Sequence, residues 1–129
     1  MTTHKVVKTR ISEVFVRDDG ILQINIAPNK DFAPEDYEEL MIAAKEIGNG
    51  ERFLNLIVVS DGTSVDNETR IVSCSEEGSR YKKADAFVIQ SLAQALIMNF
   101  YIKFNKPFVP THFFKNEEDA LLWLQQFRD

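Results

Sequence analysis

Hydrophobic and polar residues alternate with a period of two in two short stretches near the start of the chain. Val14 and Val16 oppose Phe15 in the first, while Leu22, Ile24 and Ile26 share one face of the second and Gln23 and Asn25 share the other. Between them, Asp18-Asp19-Gly20 suits a hairpin whose last loop residue takes a positive φ. The period then changes. Pro34 opens a helix at a position where its missing N–H is harmless, Glu35 and Asp36 complement the dipole, and Tyr37, Leu40, Met41, Ala44 and Ile47 recur on one face until Gly48 and Gly50 end it. Gly48-Asn49-Gly50 precedes a strand and reads as a turn, not as a phosphate-binding loop.

Phe53 to Val59 is apolar except for Asn55, the signature of a strand buried on both faces. A polar loop, Ser60 to Ser64, feeds a weakly amphipathic helix from about Asp66 to Glu77, which Gly78 closes. Ala84 to Ile89 predicts the next strand. Ser91 opens a third helix with a broad apolar stripe of Leu92, Ala93, Leu96, Ile97, Phe100, Tyr101 and Phe104. Pro107 and Pro110 break the chain before a last strand, Thr111 to Lys115. Asn116 then caps an acidic first turn, and Ala120, Trp123, Leu124 and Phe127 form the inner face of the final helix. The order ββαβαβαβα predicts a single α/β domain over residues 1–129, with parallel crossovers and a loosely ordered start over residues 1–10.

Ala86 to Ile102 carries no charge, yet it is shorter than the roughly 20 residues a membrane span needs and contains Gln90, Ser91, Gln94 and Asn99. A buried strand followed by a buried helix is the expectation, with no transmembrane segment. The chain has 129 residues, 44% hydrophobic, and a net charge of −5 that supplies no basic stripe for nucleic acid. The one cysteine, Cys74, excludes an internal disulfide and reads as a small core residue. No signal-peptide core precedes Arg10, so a cytoplasmic protein is expected.

The chemistry is sparse. His4 and His112 have no metal-ligand spacing, and no cofactor is implied. Ser60 or Ser64 with His112 and Asp61 would be a triad only if the fold gathered them, and no Gly-x-Ser-x-Gly elbow is present. A non-enzymatic protein is expected. Arg80, Tyr81, Lys82 and Lys83 read as a solvated basic loop. Glu76-Glu77 and Glu117-Glu118-Asp119 read as exposed helix turns. Ten phenylalanines, with Phe104, Phe108, Phe113 and Phe114 crowded together, leave two expectations: a helix covering that face, or an exposed patch that serves a homodimer.

Asn99-Phe100-Tyr101, Asn105-Lys106-Pro107, Pro110-Thr111, Phe114, Glu117-Glu118, Ala120-Leu121 and Trp123-Leu124 resemble the C-terminal signature of the STAS/SpoIIAA-like group. Glu68-Thr69-Arg70 and Ala84-Asp85-Ala86 add to it, and the resemblance covers residues from about Ile11 to Phe127. It is similar above all to a bacterial subfamily of stand-alone, uncharacterised domains. The resemblance implies the mixed sheet with helices of anti-sigma-factor antagonists. In them a serine, usually preceded by aspartate, is phosphorylated at the start of the helix after the central strand and switches partner binding. Asp66 matches the aspartate, but Asn67 stands where the serine belongs, and an amide cannot be phosphorylated. The switch is therefore lost, or moved to Ser60, Thr63 or Ser64.

The expected function is that of a regulatory or scaffolding domain that binds a protein partner through Ser60, Asp61, Gly62, Thr63, Ser64, Asp66, Asn67 and Arg70. The alternative is a small-molecule or lipid-binding domain in which the Leu92–Phe104 helix covers an apolar pocket.

Overall fold

The computed structural model describes residues 5–128; His4 lies outside the described residues. The hairpin forms as the alternation predicts. β2 (Ser12–Val16) and β3 (Leu22–Ile26) pair antiparallel, with Val14 opposite Ile24. Gly20 closes the turn at φ 85°, where a side chain would be strained. The expected loose start is corrected in part: Val7–Lys8 form a short edge strand, β1, antiparallel to β2.

α1 (Pro34–Gly48) begins at the predicted proline. Its N-cap is Ala33, which has no side-chain acceptor, so the N3 residue Asp36 accepts the Ala33 N–H instead at 2.9 Å. Asp36 also receives two hydrogen bonds from the Arg10 guanidinium, at 2.8 and 2.7 Å, and thereby ties the β1–β2 connection to the helix. The helix ends at Gly48 as expected, followed by Asn49 in the left-handed conformation (φ 52°) and by Gly50 (φ 85°), whose N–H reaches back to the Lys45 carbonyl.

Beyond α1 the chain crosses in parallel through β5 (Phe53–Val59), β7 (Lys82–Val88) and β8 (Thr111–Phe114). The sheet order is β1-β2-β3-β5-β7-β8. One face carries α4 (Glu117–Leu124), capped by Asn116 as expected. There Ala120 and Leu124 are wholly buried against Leu54, Leu56, Ala84 and Ala86. Each large side chain so buried contributes about 1.5–3 kcal/mol. The opposite face packs against α1, α2 (Asn67–Cys74) and α3 (Leu92–Phe100). Phe113 and Phe114 take opposite faces, as alternation requires, and the helices partly bury both.

Four expectations need correction. α2 stops at Cys74, and a tight turn over Glu77–Ser79 replaces its last turn. That turn holds Gly78, where a Cβ would collide with the Val72 carbonyl oxygen. The polar loop contains a strand: β6 (Ser64–Val65) pairs parallel with β4 (Asp31–Phe32) in a separate two-stranded sheet. β7 starts at Lys82, so the solvated basic loop does not include that residue, which is buried. The helix expected to be buried over Leu92–Phe104 turns its stripe outward. Leu92 is 78% exposed, Phe104 is 62% exposed, and only Met98 and Tyr101 are buried.

Among the described residues no helix is long and apolar enough to cross a membrane.

The Asp36 carboxyl is held below the ordinary aspartate range, first by the Arg10 hydrogen bonds, then by the Ala33 N–H, against the opposing effect of burial. Its stabilising contribution is therefore complete above the unfolded value and is lost as pH falls through the folded one. Chemical denaturation between about pH 5 and pH 2 should show wild type losing more stability than Asp36→Asn. Parallel curves for the two proteins would rule this contribution out.

Candidate functional site

A cavity of about 140 Å³ lies between the sheet and α1, α2 and α3. It matches in size the roughly 150 Å³ engineered cavity known to admit benzene. Leu22, Ile24, Ile26 and Ile57 supply its sheet wall, Tyr37, Leu40, Met41 and Ala44 its α1 wall, and Ile97 and Met98 the contribution of α3. The wall is overwhelmingly apolar, but one part is not.

That part is a buried polar cluster on β5 and β7. Lys82 Nζ donates to Asp85 Oδ2 at 2.9 Å and to the Ser73 carbonyl at 3.1 Å. Asn55 Nδ2 donates to Asp85 Oδ1 at 2.8 Å. Lys82, Asp85 and Asn55 are each 5% exposed or less. Two residues three apart in a regular strand face opposite ways, so this pair needs a local irregularity. The register supplies one: Phe53 faces Lys82, but the next β5 residue, Leu54, faces Ala84. Lys83 is thus an extra residue, a bulge that returns Asp85 to the same face as Lys82.

Around the cluster, Tyr37 donates its hydroxyl to the Gly78 carbonyl, and its ring lies 5.6 Å from Lys82 Nζ. Tyr101, at the start of a π-helical turn over Tyr101–Asn105, shares a hydrogen bond between its hydroxyl and Ser73 Oγ. Burial works against the Lys82 ammonium, but the Asp85 carboxylate outweighs it and holds the lysine above its ordinary value. Burial pushes the Tyr37 and Tyr101 hydroxyls up, and the Cys74 thiol with them. At neutral pH these groups are an ammonium, two phenols and a thiol. Two buried atoms of residues that line this cavity have no protein partner: Asn55 Oδ1 and Arg70 Nε.

The loop residues singled out from the sequence follow β5 and lead into α2, and two of them reach the cavity. Gly62 takes φ 84°. Thr63 donates its hydroxyl to the Ala27 carbonyl and accepts from the Lys30 N–H. Ser64 bonds to Asp31 at 2.9 Å, and Gln94 of α3 donates to the Ser60 carbonyl at 3.1 Å. Asp66 is the N-cap of α2, accepting the Thr69 N–H at 2.8 Å, and its bonds to Thr69 hold its carboxyl below the ordinary range. Asn67 comes next, exposed on the first helical position. Arg70 reaches the Val65 carbonyl at 2.6 Å and lines the cavity from α2. Thr63 and Arg70 therefore touch the cavity, whereas Asp61, Gly62, Ser64, Asp66 and Asn67 face outward or serve the turn.

Among the described residues the fold does not gather a triad. His112 is exposed on the α4 side of β8, with its ring against Phe114 (4.9 Å) and Trp123 (5.9 Å). Among the described residues no group of acids, histidines and cysteine could hold a metal. Sequence reasoning missed Lys82, Asp85, Asn55 and Tyr37. The available signal was the polar Asn55 inside an apolar strand, together with a Lys and an Asp bracketing an Ala-rich one.

Removing one member of the ion pair leaves a buried charge alone. Asp85→Leu and Lys82→Met should each cost about 3–5 kcal/mol in urea denaturation, while the two combined should cost far less than their sum. Strict additivity would mean that the two side chains do not depend on each other.

The solved structure of an uncharacterised DUF3478-family protein with a SpoIIAA-like fold, from Shewanella loihica PV-4, matches with a TM-score of 0.57. The match covers 95% of this chain and 92% of that one at 17% identity, which shows the SpoIIAA-like fold alone. No curated protein matches. The family described as Domain of unknown function (DUF7793) matches residues 15–128, and the chain belongs to that family.

Proposed function

We propose that this protein is a non-enzymatic regulatory domain that binds a compact small molecule in the cavity between its sheet and α1, α2 and α3. The cavity itself carries this reading: a partly open apolar pocket of about 140 Å³ with a fixed polar cluster in its wall. A few placed polar groups in an apolar enclosure are what orient a small ligand. Binding is favoured over catalysis because the polar groups are committed to one another. Lys82 and Asp85 neutralise each other, and burial keeps Tyr37, Tyr101 and Cys74 protonated and poorly nucleophilic.

Native mass spectrometry of protein purified gently from its own cells should show a bound compound, released by solvent extraction. Ala44→Leu, which projects a larger side chain into the cavity, should remain folded and lose that mass. A preparation carrying nothing, which also takes up neither xenon nor benzene, would overturn this reading.

A second reading, partner binding, draws support from the surface. Ile71 of α2 is exposed and shares a surface groove with Asn67, Phe100 and Phe104, and Leu96 and Ile97 of α3 are exposed as well. Asp66 makes a poor probe of the Ser60–Arg70 region, because losing the cap would cost α2 about 1 kcal/mol. Asp61 is exposed, and a charge reversal there tests the loop cleanly. Asp61→Lys and Phe100→Asp should each keep the wild-type melting temperature and lose a co-purifying protein. Retention of the same partner by both variants would sink the reading, and light scattering would identify a second copy of this chain as that partner.

A further inference from the structure

We infer that the cavity selects a compact, uncharged apolar molecule bearing a hydroxyl, or another single hydrogen-bond donor, and that Asn55 is the residue that reads it. This rests on small-molecule binding in the cavity, as proposed for this protein. The direction of the Asn55 amide is set by its neighbour. Its Nδ2 donates to Asp85 Oδ1 at 2.8 Å, and turning the amide over would set one acceptor against another. Asp85 is itself fixed, because its second oxygen takes the Lys82 ammonium, which is in turn held by the Ser73 carbonyl. The chain of contacts therefore dictates that Oδ1 is the atom left over. That oxygen is buried, belongs to a residue only 3% exposed, and has no partner in the protein. A buried acceptor without a donor is unfavourable, and Asn55 lines the cavity, so a donor brought to this residue from there would supply what it lacks.

The charge arrangement narrows the class further. Beside Asn55, Lys82 and Asp85 cancel, so a ligand carboxylate there would lie against the Asp85 carboxylate, while the second cation of the wall, Arg70, is bound to the Val65 carbonyl. The ligand carboxylate would also meet Oδ1 acceptor to acceptor. An ammonium would face Lys82. A neutral hydroxyl avoids both conflicts, and the apolar walls take the remainder of the molecule. Arg70 Nε, the other buried atom without a partner here, discriminates less. Its side chain is only half-buried, and the guanidinium already bonds to Val65 and lies 5.8 Å from the Phe100 ring.

The test uses three probes that share one ring: toluene, benzyl alcohol and benzoate, each titrated into the full chain by NMR. Benzyl alcohol should bind at least about tenfold more tightly than toluene, the scale of one hydrogen bond to an otherwise unsatisfied buried group. Benzoate should bind most weakly, and only the alcohol should shift the Asn55 side-chain amide resonances. In Asn55→Leu the alcohol and toluene should come within about twofold of each other. That variant also strips Asp85 of a donor and can lose its fold, so the wild-type ranking stands as the test without it. Equal binding of toluene and alcohol would overturn the inference, showing that a water suffices for Oδ1, and would leave the cavity reading intact. Tighter binding of benzoate would overturn it in favour of Arg70 as the selecting group. Failure of all three probes, with cavity resonances unmoved, would remove the small-molecule reading and this inference together.

Discussion

In a regular strand Lys82 and Asp85 would face opposite sides of the sheet, and the polar cluster in the cavity wall could not exist. The extra residue Lys83, inserted opposite the Phe53–Leu54 step, returns both to one face. The consequences spread from there. Two buried charges become tolerable because each satisfies the other, and Asp85 then fixes Asn55 from the neighbouring strand. Lys82 reaches back to the carbonyl of Ser73 and so ties the end of α2 to the sheet. Without that re-aimed pair, the face beneath α1, α2 and α3 would be an ordinary apolar wall.

The two faces of the sheet differ for the same reason. Against α4, the small alanines Ala84 and Ala86 on β7 let Leu124 and Ala120 approach the sheet and become wholly buried. On the other face, polar side chains occupy positions where a core would place branched aliphatic ones. The helices above cannot collapse onto those groups without stripping them of their partners. α3 and the turn after it bury Met98 and Tyr101, half-bury Ala95 and Ile102, and leave Leu92, Leu96, Phe100 and Phe104 largely to solvent. Cavity and exposed stripe are two consequences of the same placement.

Much of the architecture was legible in the pattern of residues. The hairpin around Gly20, the start of α1 at Pro34, the limits of β5 and the Asn116 cap all arise from local chemistry, in which a few neighbouring residues decide the outcome. The loop from Ser60 to Asn67 was legible only as a loop. Its pairing with Asp31–Phe32 depends on a segment more than thirty residues away, and two-residue strands leave no periodic trace. The α3 stripe is amphipathic, as its spacing predicts, yet it is not buried. Amphipathicity names a face but not what lies opposite it.

The order of elements, the parallel crossovers and the resemblance to SpoIIAA-like proteins were fixed along the chain, because they rest on short-range periodicity, capping and turn chemistry. Where the functional groups meet was settled only in three dimensions. Along the chain Lys82 looks like one member of a basic surface run, Asp85 like a polar interruption and Asn55 like a blemish in an apolar strand. A bulge changes which face a side chain takes, and sheet pairing brings residues thirty positions apart within hydrogen-bonding distance. Neither effect leaves a local mark, so the chemistry of this protein lies in its register, not in its motifs.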